Sequence, residues 1–254
     1  MRQLHTYGCS HTAGYMEHGS IPNDGNYKDY YDWRGGNFPK IYTELLSEEF
    51  NLTLRNHAKG GSSVTMAIYL MTETFQTWQP GDIVLFQTTY QERYQWLSVW
   101  DNTFQPFSYD PAPDPNYIPD VPYKAQTEFL ANRTDNKAWQ RETMACIRSA
   151  KALADSKGCH FLTAPYDQYT IDVLFERPED YPDIHEYLIY QTPDTLPDIK
   201  WAFPIPYWTF GDFADSCPAR INQETANEID DNHMGEIGHK LQAKIISPKL
   251  RKFL

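Results

Sequence analysis

The sequence has few cysteines and no long hydrophobic run. Its four cysteines are scattered without a CxxC pair, which disfavours both a disulfide framework and a cysteine-rich zinc site. No segment approaches the run of about 18 apolar residues that a membrane-spanning helix needs. The first residues, MRQLHTYGCSHT, lack the apolar core of a secretory signal. We therefore expect a cytoplasmic protein with free thiols and no membrane partner.

Positive charge is also scarce. The chain has 22 Lys and Arg against 34 Asp and Glu, a formal net charge of −12, and no basic run. Such a field repels phosphate backbones, so we expect no nucleic-acid partner. A length of 254 residues is enough for one α/β domain with a sizeable core. We predict a single domain over residues 1–254 and leave the oligomeric state open.

Aromatic residues and prolines are abundant, with 18 Tyr, 13 Phe, 7 Trp and 18 Pro. They concentrate in two irregular stretches, about 91–134 and 165–222. Irregular stretches of this length inside a compact domain are usually lids or binding loops. We predict two aromatic-rich loop insertions that form a wall for a sugar or an acyl group, although ordinary packing is the alternative for most of these rings.

Short apolar segments alternate with segments of helical periodicity along the rest of the chain. The predicted strands are residues 3–8, 52–56, 82–87 and 159–164. The predicted helices are residues 38–50, 63–78, 136–156 and 232–246, and residues 13–36 predict a long surface loop. This alternation predicts an α/β fold with a parallel, doubly wound sheet, which binds ligands beyond the carboxyl ends of its strands.

A candidate nucleophile and a candidate base lie near opposite ends of the chain. Ser10 follows the first predicted strand. Asp230 and His233 are three residues apart, which places both on one face of a helical turn. The carboxylate can then accept the imidazole Nδ1–H and leave Nε2 free as a base, so we predict a triad of Ser10, His233 and Asp230. The alternative for Asp230 is a plain helix N-cap.

Further polar residues follow the second and third predicted strands. Asn56 and Gly61 come after the second strand, and Gln87, Thr89 and Arg93 come after the third. Since the carboxyl ends of parallel strands meet at one edge of the sheet, we expect these segments to converge on Ser10. Plainer alternatives are a tight turn for Gly61 and a solvated side chain for Arg93.

These residues and their order resemble the SGNH (GDSL-like) hydrolases, a family of esterases and lipases. The segment Gly8-Cys9-Ser10 is similar to the family's first block, with Cys9 in place of the usual Asp. The segment Asp230-Asp231-Asn232-His233, followed by Gly238-His239, is similar to its last block.

Two further blocks complete the resemblance. Asn56 and Gly61 match the second block, and the third block has Thr89 where the family has Asn. The resemblance covers about half of the chain and leaves the aromatic insertions outside it.

The resemblance implies a flavodoxin-like three-layer sandwich with a central parallel sheet and the activity of a carboxylic ester hydrolase. Ser10 is the implied nucleophile, and the implied oxyanion donors are the backbone N–H groups of Ser10 and Gly61 with the Thr89 hydroxyl. We expect no cofactor and no metal. The expected substrate is a small-molecule or glycan ester, with O-acetyl or another short acyl group on a carbohydrate. We further predict substrate-binding roles for four side chains, namely His11, Asn56, Gln87 and Arg93.

Two other functions fit the same residues. The first is a non-catalytic SGNH-like module that binds carbohydrate or a protein partner, and the changes at Cys9 and Thr89 favour it. The second is a hydrolytic metal site made of His11, His57 and His233 with Asp230, although their spacing matches no metal motif.

Overall fold

The computed structural model describes residues 1–16, 20–89, 93–97, 104–108, 136–165, 179, 181–189 and 219–254. Most of the two predicted insertions therefore lies outside the described residues, and their role stays a prediction. In the part of the chain that is described, no helix combines the length and the apolar character needed to cross a membrane.

A parallel sheet of four strands forms the centre of the described structure. In chain order the strands are β1 (Gln3–Tyr7), β2 (Thr53–Asn56), β3 (Ile83–Gln87), β4 (Arg93–Leu97), β5 (Phe104–Ser108) and β6 (His160–Ala164). The parallel sheet has the order β2-β1-β3-β6, the order of a flavodoxin-like sheet, and each of its strands lies within one residue of its predicted bounds. A separate antiparallel hairpin of β4 and β5 lies within the first predicted insertion.

Helices connect the strands and cover the sheet. They are α1 (Ser10–Ala13), α2 (Asn26–Trp33), α3 (Tyr42–Glu49), α4 (Val64–Thr74), α5 (Asn136–Ser156), α6 (Pro182–His185), α7 (Ile221–Glu224) and α8 (Glu236–Leu250). Short 3₁₀ turns follow α4 and α8. Two predictions are wrong here: the supposed loop 13–36 contains helix α2, and the last helix covers residues 236–250 instead of 232–246.

Two hydrophobic clusters lie on opposite faces of the sheet. Alternate strand residues such as Leu4 and Leu85 pack with α3 and α8, while Val84 and Phe86 pack with α4 and α5. This alternation follows from the pleat of β3, whose five residues are all buried. The predicted three-layer α/β sandwich with a central parallel sheet is confirmed, and it is consistent with the SGNH hydrolase fold.

Candidate active site

A hydrogen-bonded chain of three side chains lies at the carboxyl edge of the sheet. Ser10, directly after β1, has its Oγ 2.7 Å from Nε2 of His233. The other ring nitrogen, Nδ1, is 2.6 Å from Oδ1 of Asp231. A proton on Nδ1 that is donated to the carboxylate leaves Nε2 to accept the Ser10 hydroxyl proton. Asp231 is buried and the His233 side chain is one third exposed, so a substrate can reach the serine end of the chain.

The partner of His233 is Asp231, which corrects the prediction of Asp230. Asp230 is exposed, and its backbone carbonyl accepts a hydrogen bond from Nδ2 of Asn26. Asp230 was predicted because a spacing of three residues suits a helical turn, but residues 230–235 lie before α8 and are not helical. In such an open backbone, side chains two residues apart can point to the same side, whereas a helix favours a spacing of three.

Backbone pairing with the segment around α7 holds the Asp231–His233 turn in this open form. The Ile221 amide donates to the His233 carbonyl at 2.9 Å, and the Asn222 amide donates to the Asp231 carbonyl at 2.8 Å. Oδ1 of Asp231 also accepts the backbone N–H of His233 at 2.7 Å. The carboxylate therefore fixes both the backbone and the ring of the histidine.

Buried hydrogen bonds to Thr12 hold the short helix that carries Ser10. The Thr12 hydroxyl is within hydrogen-bonding distance of the Tyr42 hydroxyl at 2.8 Å and donates to Oε1 of Gln87. The Thr12 carbonyl accepts from Nδ2 of Asn56 at 2.8 Å, while Oδ1 of Asn56 accepts from the Thr6 hydroxyl at 3.0 Å. Gln87, which is fully buried, and Asn56 therefore hold α1 against the sheet. Their substrate-binding roles stay predictions.

Gly8 shows why this end of β1 needs a glycine. A Cβ on Gly8 would lie 2.6 Å from Oγ1 of Thr12 and 3.0 Å from Cβ of Gln87. Contacts this short do not occur for real side chains, so the strand and α1 can approach only without one.

The other predicted site residues have mixed outcomes. His11 is buried with its ring centroid 4.8 Å from that of His233, so it packs on the base, and its substrate-binding role stays a prediction. Gly61 has a φ of +70°, which a turn after β2 requires, and Thr89 is buried just after β3. Their oxyanion roles stay predictions. Arg93 lies on β4, and its side chain is outside the described part of the structure.

Helix α2, which contacts the histidine, is not predicted from the sequence. Tyr27 of α2 contacts His233 in an edge arrangement, with ring centroids 5.2 Å apart. No motif marks this residue, since the segment around it is polar and aromatic without a clear apolar stripe. The helical spacing of Tyr27, Tyr30 and Tyr31 is the one signal in the sequence that could have indicated a packed helix.

His239 on α8 is a buried structural residue. Its Nδ1 accepts the backbone N–H of Tyr42 at 3.2 Å, at the start of α3. Burial, with a smaller contribution from the charge of His233, lowers the pKa of His239 to about 3, so its ring stays neutral near pH 7.

The geometry does not support the metal hypothesis. Nε2 of His57 lies 3.2 Å from Nδ1 of His5, and the His57 ring stacks on Tyr7. Within the described ranges, no group of three or more His, Cys, Asp or Glu could hold a metal ion.

Solved structures that are similar to this chain include SGNH and GDSL hydrolases and carbohydrate esterases. A Bacillus subtilis protein is 13% identical with a TM-score of 0.47, over 99% of this chain and 56% of that one. A member of the lipolytic G-D-S-L family from Veillonella parvula is 14% identical with a TM-score of 0.45, over 99% of this chain and 100% of that one.

A third similar structure is a carbohydrate esterase family 2 enzyme with its carbohydrate binding domain from Corynascus thermopiles (Myceliophthora fergusii). It is 12% identical with a TM-score of 0.49, over 99% of this chain and 66% of that one. This chain therefore spans a little over half of the B. subtilis protein and about two thirds of the fungal one. No family model and no curated protein sequence matches the chain.

Proposed function

We propose that this protein is a serine esterase in which Ser10, His233 and Asp231 form the catalytic triad. The observation that carries the proposal is the continuous chain of two short hydrogen bonds, 2.7 Å from Ser10 to His233 and 2.6 Å from His233 to Asp231. Two bonds in this order pair a nucleophile with a base and the base with the group that orients it.

The reaction would follow from this order of groups. His233 removes the Ser10 hydroxyl proton as Oγ attacks the ester carbonyl, and it returns that proton to the leaving alcohol. Water then hydrolyses the acyl-serine with His233 again as the base. The backbone N–H groups of Ser10 and Gly61 and the Thr89 hydroxyl are the proposed donors to the oxyanion, where each donor contributes about 10²–10³-fold in rate.

We further propose a short acyl ester, such as an O-acetyl group on a carbohydrate, as the substrate. The strongly negative net charge of −12 favours a neutral ester over an anionic one. The two aromatic-rich stretches supply rings for stacking on sugar, which is the basis of the carbohydrate part of the proposal.

Release of acetate tests this function. The purified protein is incubated with 4-nitrophenyl acetate and with acetylated xylo-oligosaccharides, and acetate is measured over time. We expect hydrolysis by the wild type and a loss of at least about a thousandfold in Ser10→Ala. Ser156→Ala, which removes an exposed hydroxyl at the end of α5, is the matched control and should keep full activity. A folded wild type that binds acetylated sugars without hydrolysing them would instead favour the non-catalytic binding module.

A further inference from the structure

Two aromatic rings flank the imidazole of His233. Tyr27 of α2 lies with its ring centroid 5.2 Å away at an interplanar angle of 68°, and His11 of α1 lies 4.8 Å away at 34°. Neither contact involves the two ring nitrogens, which face Ser10 and Asp231.

The alignment of His233 with its two partners depends on the orientation of its ring. Tilting of the ring about the Cβ–Cγ bond swings both nitrogens away from Ser10 and Asp231. Such a tilt moves the nitrogen lone pair out of line with the Ser10 hydroxyl and weakens the bond, because hydrogen bonds lose strength steeply as their angle closes. Side chains packed against the ring are what oppose this tilt.

Ionic and polar contacts hold α2, and with it Tyr27, against the histidine turn. Arg34, just after α2, donates to Glu224 at 2.9 Å and to Glu236 at 2.8 Å. The Tyr30 hydroxyl donates to Glu224 at 3.0 Å.

Contacts at the start of α2 also hold this helix against the histidine turn. Nδ2 of Asn26 donates to the Asp230 carbonyl at 2.9 Å, next to the carboxylate that binds His233. Tyr15 packs edge-on against Tyr27 with ring centroids 5.6 Å apart. The helix is thus attached to the turn that carries the base, and the Tyr27 ring also contacts Tyr15.

The alignment of His233 matters for the chemical step. Proton transfer from Ser10 to His233 uses the aligned hydrogen bond and substrate binding does not, so a loss of alignment lowers kcat and leaves KM unchanged.

We propose that Tyr27 is a positioning residue for His233. Its ring packs against the imidazole and holds it in line with Ser10. This inference rests on the proposed esterase function, since it assigns Tyr27 a role through the base of that reaction.

Steady-state hydrolysis of 4-nitrophenyl acetate by three variants tests the proposal. In Tyr27→Leu we expect kcat to fall roughly 3- to 30-fold with KM unchanged. Tyr27→Phe keeps the ring and should restore kcat to within about twofold of the wild type. Tyr31→Leu, on the same helix with its ring against Phe38, is the matched control and should leave kcat unchanged. An unchanged kcat in Tyr27→Leu would overturn the proposal.

NMR signals of the His233 ring protons report on the contact with Tyr27 independently of ester hydrolysis. Removal of the Tyr27 ring should shift and broaden the His233 signals in Tyr27→Leu, while Tyr31→Leu leaves them in place. His233 signals that are identical in the wild type and Tyr27→Leu would contradict the positioning role. The esterase function would be refuted if the wild type hydrolyses no ester. A response of the His233 signals to Tyr27→Leu in that case would still show that Tyr27 packs on His233.

Discussion

At the scale of single residues, the site contains two adjacent aspartates, of which Asp231 orients His233. Asp230 and Asp231 are chemically identical, and only the backbone decides which one faces His233. A helical turn would bring Asp230, three residues before His233, to the ring. The open chain before α8 instead brings Asp231, two residues before it. Gly235, which caps α8, is the residue in the sequence that could have placed the start of the helix later.

The neutral His239 predicts a pH dependence of stability. Its pKa is about 3 in the folded protein and about 6.5 when unfolded, so the unfolded state binds the proton first as the pH falls. The stabilisation is fully present above about pH 6.5 and is lost as the pH falls towards 3. Between pH 7 and pH 5 the protonation of His239 in the unfolded state should lower the free energy of unfolding of the wild type by about 2 kcal/mol.

Urea unfolding of the wild type and His239→Gln at both pH values measures this cost. The free energy of unfolding should fall by about 2 kcal/mol less in the variant than in the wild type between pH 7 and pH 5. The explanation fails if both proteins lose the same free energy, because the pH dependence would then come from other groups.

At the scale of elements, the four strands of the parallel sheet are predictable because they are short apolar or alternating segments, while α2 is not. The sequence of α2, NYKDYYDW, has four polar residues and a weak apolar face, so its composition is typical of a loop. Tertiary contacts form the helix: Tyr30 is buried and Arg34 is paired with two carboxylates. Most of the stability of a short helix comes from such packing, which a local pattern does not contain.

Close packing at the start of α8 predicts a destabilising substitution. A Cβ on Gly238 would lie 2.2 Å from the Ala219 carbonyl oxygen, so Gly238→Ala must displace backbone. We expect a loss of about 1–3 kcal/mol in the free energy of unfolding, measured by urea titration. Gly60→Ala is the control, since a Cβ there meets nothing within 4 Å and should change stability by less than about 0.5 kcal/mol. Equal stability of the two variants would refute this account of the α8 contact.

At the scale of the whole molecule, the order of strands and helices is sufficient to predict the architecture. Each parallel strand is followed by a helix, and the sheet order β2-β1-β3-β6 brings the ends of β1 and β3 side by side. This places Ser10 at the edge where such sheets bind ligands. The base, His233, lies near the other end of the chain from Ser10. No local pattern predicts that its ring also contacts α2.

The substrate is the part of the account that the sequence predicts least. The long aromatic stretches, about 91–134 and 165–222, lie mostly outside the described residues. The acyl group and the alcohol are therefore inferred from composition and charge, whereas the chemistry of the site is inferred from distances between named atoms.

Intact-mass analysis after treatment with a fluorophosphonate probe tests the central claim most directly. We predict one adduct on the wild type, none on Ser10→Ala, and labelling slowed by about 10³–10⁴-fold in Asp231→Asn. Asp230→Asn, which changes the exposed neighbour, should label like the wild type. No adduct on the folded wild type, an adduct that persists in Ser10→Ala, or a slow Asp230→Asn beside a normal Asp231→Asn would contradict the triad of Ser10, His233 and Asp231.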